Sequence, residues 1–176
     1  LSIMMKVIKT KIKDLLIIKK KTFIDKRGSL REIYKENVLS KKFVFEIISK
    51  SKKNVLRGLH MQTTKMQGKY VSVLKGKVLD VAVDMRKNSK TFGKHYKIIL
   101  SEKNATSIYI PPGFFHGFLA LEKENLVLYS CTNYRNKNSE TTLKWNDKDL
   151  KIKWPIKNPI LSNKDQNGIS FKDYKF

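Results

Sequence analysis

"KYVSVLKGKVLDVAVDMR", residues 69–86, decides the fold class. Two short β-branched runs flank Gly76, and Val71, Val73, Val78, Val81 and Val83 suit a pleated, half-buried sheet. The "KGK" between them reads as a hairpin turn. Working outward, "HYKIILS" (95–101), "SIYIP" (107–111), "GFLALE" (117–122) and "LVLYSCTNY" (126–134) continue the series. Turn-forming stretches such as "RKNSKTFGK" and "SEKNAT" fall between them. Short strands at roughly 8–12-residue spacing predict an all-β protein, an antiparallel sandwich or barrel. Helix is scarce: "KENVLSKK" (35–42) has room for one or two turns. No internal repeat or linker divides the chain. A single domain is expected, with a core over about 6–155 and a polar, proline-broken tail over 156–176 that wraps it.

The 176 residues suffice for a sizeable core. No run of 18 uncharged apolar residues occurs, so no membrane span is expected. The lysine-rich start lacks the continuous apolar segment of a secretory signal. One cysteine, Cys131, leaves no intrachain disulfide and fits a reducing compartment, so the expected location is cytoplasmic. The net charge of +23 raises the question of nucleic acid. But 33 of the 38 basic residues are lysine, spread from end to end, without clustered arginine forks or aromatics on basic ground. The pattern reads as a solvated surface rather than a nucleic-acid interface, and it would steer a polyanionic small substrate toward the protein.

Chemistry-bearing residues are few. The three histidines are His60, His95 and His116, with no His-x-His pair, so no metal site is expected. His95 sits in a lysine-bordered turn and reads as a surface residue. In "IPPGFFHGF" (110–118), His116 is either a core histidine or one lining a pocket at a barrel mouth. In "VLYSCTNY", Tyr129 is by default a core aromatic, and in a cavity it could serve as a general acid. "NVLRGLHMQ" (54–62) holds Arg57 and His60 three positions apart, and leaves open a packed imidazole, a metal ligand or a base beside a phosphate-binding arginine.

Taken together and in order, "FIDKRGSLREIY" (23–34), "SKSKKNVLRGLHMQ" (49–62), 67–94, "IPPGFFHGF", "LYSCTNYRNKNSE" (128–140), "WNDKDLKIKWP" (145–155) and "LSNKD" (161–165) resemble the dTDP-4-dehydrorhamnose 3,5-epimerase family over about residues 6–168. The resemblance implies a cupin-type jelly roll with few short helices, a homodimer built through N-terminal strands, and no metal or cofactor. It implies a nucleotide-diphosphate 4-keto-6-deoxy sugar as substrate, inverted at C3 and/or C5, with dTDP-4-dehydro-6-deoxy-glucose to dTDP-4-dehydro-rhamnose as the leading case. By the same resemblance His60 is the base, Asp165 orients it, Tyr129 is the acid on the opposite face and Lys69 holds the enolate oxygen. Arg57 matches the diphosphate-binding arginine. Phe23, Arg27 and Glu32 match substrate contacts, and Arg27 and Glu32 are positions lent across the dimer interface. Gln62, His116, Tyr134 and Glu140 complete the substrate set, with Asp84 as a support for His116. Two stretches depart from the family: Phe45-Glu46-Ile47 replaces a polar triplet that meets the nucleotide, and Arg135 replaces a stacking aromatic. A single-centre epimerase on a CDP-, GDP- or UDP-linked sugar, and a non-catalytic sugar-nucleotide-binding jelly roll, are the alternatives.

Overall fold

The structure, a computed structural model, describes residues 5–176. Thirteen strands follow in chain order: β1 (Met5–Lys9), β2 (Leu16–Lys20), β3 (Thr22–Asp25), β4 (Gly28–Arg31), β5 (Phe45–Lys52), β6 (Leu56–Gln62), β7 (Lys69–Lys75), β8 (Lys77–Asp84), β9 (His95–Ser101), β10 (Thr106–Ile110), β11 (Phe114–Ala120), β12 (Glu124–Cys131) and β13 (Glu140–Thr142). Of two one-turn helices, α1 (Glu36–Leu39) lies between β4 and β5 and α2 (Asn163–Gln166) follows β13. A six-stranded sheet in the order β1-β2-β10-β7-β12-β5 faces a five-stranded sheet in the order β13-β6-β11-β8-β9. Neighbouring strands in both pair antiparallel. This is the jelly roll that the strand spacing and the resemblance lead one to expect. Among the described residues no helix is long and apolar enough to cross a membrane.

One local expectation fails. The "KGK" is not a hairpin, because β7 lies in the six-stranded sheet and β8 in the five-stranded one. Lys75-Gly76-Lys77 is an arch from one layer to the other. Gly76 has φ +80°, and a Cβ there would lie 2.3 Å from the Glu124 carbonyl oxygen and 2.7 Å from Asn125 Oδ1. Glycine is needed for both the backbone conformation and the close approach to the start of β12.

The arch lets both runs fill one interior. Val71 and Val73 of β7 pack with Val78 and Ala82 of β8, Phe114 and Phe118 of β11, and Val127 of β12 between the sheets. The other face of β8, with Leu79, Val81 and Val83, packs under Leu143, Leu150, Trp145, Trp154 and Tyr174. That double burial explains why "VLDVAV" is nearly continuous in apolar residues rather than alternating. The chain after β13 therefore covers the outer face of the five-stranded sheet. It is tied down by the parallel bridge Val55–Ile160 and by the Leu143 amide donating to Leu59 O (2.9 Å), and it is joined to itself by the bridge Leu143–Ile169. Each large apolar side chain buried there contributes roughly 1.5–3 kcal/mol.

Candidate active site

A cavity of about 430 Å³ opens between the two sheets. The five-stranded sheet supplies Arg57, His60, His116 and Phe118. The six-stranded sheet supplies Ile47, Ser49, Lys69, Tyr129 and Cys131 from the facing wall, and the C-terminal segment adds Lys164 and Asp165.

Arg57 and His60 are three apart, a spacing that points to opposite faces in a regular strand. A bulge changes this. His60 pairs with His116, but Arg57 pairs with Phe118, so three steps on β6 match two on β11. The extra residue is accommodated at Gly58, where φ is +124° and a Cβ would stand 2.6 Å from the Gly117 Cα. Both side chains thus face the cavity. The guanidinium of Arg57 is braced by Nε donating to Ser51 Oγ (3.0 Å) and Nη2 donating to the Lys50 carbonyl (3.2 Å).

Nε2 of His60 lies 2.5 Å from Oδ1 of Asp165. Asp165 arrives from 105 residues away. The Leu56 amide donating to Ile160 O (3.0 Å) and the Ile160 amide donating to Asn54 O (2.8 Å) bring the segment alongside β6. Ser162 then caps α2 by accepting from the Asp165 amide. Burial works against the Asp165 carboxylate, yet the bond to His60, its charge, Ser162 and the Gly58 amide hold it below the usual carboxylate range.

A second pair stands beside the first. Nε2 of His116 is 2.8 Å from Oδ2 of Asp80, and both residues are buried. This corrects the expected partner. His116 sits opposite Ala82, so Asp80 and Asp84 are each two residues away on its face. Asp84 is already taken: it accepts from Arg86 Nε and Nη2 (both 2.9 Å), Ser89 Oγ (2.6 Å) and Thr91 Oγ1 (2.6 Å). Burial opposes its charge, but these donors bring its pKa down to about 2. It locks the loop after β8 and does not touch His116.

Tyr129 faces the cavity from the other sheet, its hydroxyl 3.3 Å from Ser49 Oγ and its ring centroid 6.0 Å from that of His116. Burial pushes the phenol well above its usual range, against the Ser49 bond and with the charge of Asp80, so the group keeps its proton at neutral pH. Lys69, opposite Cys131 on the neighbouring strand, is pulled the other way: burial lowers its pKa, against the charges of Cys131, Glu140 and Asp80. The cavity therefore holds a phenol that stays protonated and an amine that loses its proton more readily than usual.

The rim is ionic. Glu140 accepts from Arg135 Nε (2.6 Å) and Nη2 (3.2 Å) and from Lys164 Nζ (2.5 Å). Burial opposes its charge, and these partners still take its pKa to about 2. Tyr134 lies just outside, 69% exposed, with its ring 6.1 Å from that of Phe45. Gln62 is not a cavity residue. Its Nε2 donates to Lys65 O and Tyr134 O, and its Oε1 accepts from the Asn136 amide, so it braces the loop that carries Tyr134 and Arg135. Phe23, Arg27 and Glu32 are also remote from the cavity of their own chain. Phe23 and Arg27 stand on the β3–β4 hairpin and Glu32 just after it, and Arg27 Nη2 is spent on Asp25 at 2.6 Å.

Sequence reasoning missed Ser49, Phe118, Cys131 and Lys164 as lining residues, and Asp80 as the partner of His116. For Asp80 the signal was available: a lone carboxylate inside "VLDVAV" is costly to bury without a partner. Among the described residues no three histidine, cysteine or carboxylate side chains converge as a metal cage.

The sequence profile of the dTDP-4-dehydrorhamnose 3,5-epimerase family matches residues 9–173. The dTDP-4-dehydrorhamnose 3,5-epimerase of Shigella flexneri is 45% identical, over 96% of this chain and 97% of its own length. Among solved structures, the dTDP-4-dehydrorhamnose 3,5-epimerase of Elizabethkingia anophelis superposes with a TM-score of 0.90 at 46% identity, covering 99% of this chain and 100% of that one. The dTDP-6-deoxy-D-glucose-3,5-epimerase of Legionella pneumophila, in complex with dTDP-4-keto-L-rhamnose, gives 0.93 at 40% identity, covering 97% and 95%. On the family profile, the identity and the coverage, this chain belongs to the dTDP-4-dehydrorhamnose 3,5-epimerase family.

Proposed function

We propose that this protein inverts C3 and C5 of dTDP-4-dehydro-6-deoxy-glucose to give dTDP-4-dehydrorhamnose, with His60 as base and Tyr129 as acid. The C4 ketone acidifies the C–H bonds on both neighbouring carbons. The nitrogen of His60 turned away from Asp165 takes the C3 or C5 proton. The electron pair moves into an enolate whose oxygen is held by an N–H of Lys69 Nζ. Tyr129 then returns a proton to the same carbon from the other side, and the ketone re-forms. Asp165 fixes the imidazole and balances its charge after proton transfer. Arg57 holds the diphosphate with the guanidinium donors not used on Ser51 and Lys50.

The observation that carries this reading is the placement of His60 and Tyr129 on facing sheets, with one cavity between them. A sugar ring there meets a base on one face and a protonated phenol on the other. The Legionella relative, solved with dTDP-4-keto-L-rhamnose, supports the choice of ligand.

The functional unit is a homodimer. The β3–β4 hairpin forms a two-stranded sheet of its own and exposes Ile24 (81%) and Leu30 (67%). An isolated apolar hairpin gains stability only by packing on something else. A second copy would cover it and receive Phe23, Arg27 and Glu32 at its cavity. Sedimentation should give a dimer, and a monomer at assay concentration would end this part of the reading.

The test of the reaction is turnover of dTDP-4-dehydro-6-deoxy-glucose in D2O with the product examined by NMR. Deuterium and inverted configuration are expected at both C3 and C5. Label at one centre only would make the protein a single-centre epimerase, and none at either would leave a binding protein.

A further inference from the structure

We propose that the lysine-lined groove at one end of the sandwich is a second binding site, for inorganic polyphosphate, separate from the cavity between His60 and Tyr129. The inference does not depend on the reaction proposed above.

Lysines are scattered along the sequence, and the fold gathers several of them in one place. The end of β5, the arch at Gly76, the turn between β9 and β10 and the turn between β11 and β12 meet around a groove of about 1310 Å³. Seven lysines and three glutamates line it, a surplus of four positive charges. The glutamates neutralise only part of the set. Glu124 takes Lys75 at 2.7 Å and Lys50 at 2.9 Å, and Glu122 takes Lys77 at 3.1 Å. Glu102 Oε2 accepts from the Gly76 amide at 3.3 Å. Lys52, Lys53, Lys103 and Lys123 are exposed and, among the described residues, make no ion pair. They come from three separate connections, so a single phosphate meets only part of the set. A chain of phosphates can meet charges from all three and relieve the repulsion among them.

The lining also selects among polyanions. Among the described residues it holds no aromatic ring on which a base could stack and no arginine fork to read one. Lysine ammoniums are compact point charges that meet phosphate oxygens without a fixed fork geometry. A flexible chain with a charge on every unit, and no base or sugar to place, makes the fullest use of such a lining. The groove and the cavity have only Ile160 in common. Arg57 lines the cavity, and its bonds end on Ser51 Oγ and the Lys50 carbonyl, residues that line the groove. The two sites therefore adjoin without overlapping.

Calorimetric titration of the protein with tripolyphosphate, with and without saturating dTDP, tests this. Tripolyphosphate should bind at least about tenfold more tightly than orthophosphate, and should weaken at least about tenfold between about 0.05 M and 0.2 M salt. Saturating dTDP should change its dissociation constant by less than about threefold. The variant Lys52→Gln/Lys53→Gln/Lys103→Gln/Lys123→Gln should lose at least about tenfold in affinity. A control removes the same charge from exposed lysines outside the groove, Lys144→Gln/Lys148→Gln/Lys157→Gln/Lys175→Gln, and should lose less than about threefold. Equal losses in the two variants would reduce the effect to net charge and overturn the proposal. So would displacement of tripolyphosphate by dTDP, no binding in the parent protein, or tighter binding of an oligothymidylate of equal charge. A protein that binds tripolyphosphate but turns over no sugar nucleotide would refute the epimerase reading and leave this one standing.

Discussion

Two histidine–aspartate pairs stand side by side on neighbouring strands, and they differ in what surrounds them. His60 and Asp165 are 2.5 Å apart, and the His60 side chain is 31% exposed, open to the cavity. His116 and Asp80 are 2.8 Å apart, and the side chains are 4% and 0% exposed. The first pair joins a strand to the C-terminal segment, whereas the second lies wholly within the β8–β11 ladder. A hydrogen-bonded carboxylate alone therefore does not mark a catalytic histidine. Access to a substrate carbon does, and the buried pair, in which Asp80 Oδ1 has no hydrogen-bond partner, is a polar element of the interior and a wall of the pocket.

The sharpest way to break this comparison is to remove each imidazole in turn. His60→Ala should lower solvent exchange at both carbons by about 10²–10⁴-fold while leaving the fold intact. His116→Ala should show its main effect in stability, about 3–5 kcal/mol in chemical denaturation, because Asp80 is left as an unpaired buried charge. Exchange lost only in the second variant would reverse the assignment.

Asp165→Asn should fall between, with a loss of at least about tenfold but less than that of His60→Ala. The Asp165 carboxylate is held below its usual range, so the pair is intact at neutral pH and is lost as pH falls through that lowered value. A smaller contrast separates the two aspartates of β8. Asp84→Asn should cost about 1–3 kcal/mol of stability and leave turnover unchanged. Because the folded pKa of Asp84, about 2, lies below its ordinary 3.8, its contribution is fully present above about pH 4 and disappears toward pH 2. In the parent protein an acid denaturation curve should therefore fall across that window more steeply than in Asp84→Asn.

The smallest effect is long-range. A groove of about 1310 Å³ beside the cavity shares Ile160 with it and is lined by Lys50, Lys52, Lys53, Lys75, Lys103 and Lys123. With the net charge of +23, it should raise kcat/KM for a diphosphate at low salt by about two- to threefold, an advantage lost near 0.5 M salt. A flat salt profile would make these lysines a solvated surface and nothing more.

The strands were legible because β-branched runs and turn residues are local signals. Their assignment to sheets was not. "KGK" between two such runs is as good an arch as a hairpin, and only the pairing of β7 with β10 and β12 decides it. The shared face of Arg57 and His60 was hidden for a related reason, since their spacing becomes cavity-facing only through the bulge at Gly58. Asp80 and Asp84 share one face, and their roles separate only once Arg86, Ser89 and Thr91 claim the latter. Asp165 reached the candidate set through family resemblance, because nothing local ties it to a histidine 105 residues away.

The proposed inversion needs two groups acting from opposite walls, and Tyr129→Phe removes one of them. The substitution keeps the ring that packs near His116 and Phe118 and removes the hydroxyl near Ser49. The quantity to measure is the ratio of deuterium incorporated to product inverted at C3 and C5 in D2O. With His60 intact and the acid gone, exchange should persist while inversion falls much further, so the ratio should rise well above that of the parent protein. An unchanged ratio at an unchanged rate would make Tyr129 a core residue and contradict the two-wall mechanism.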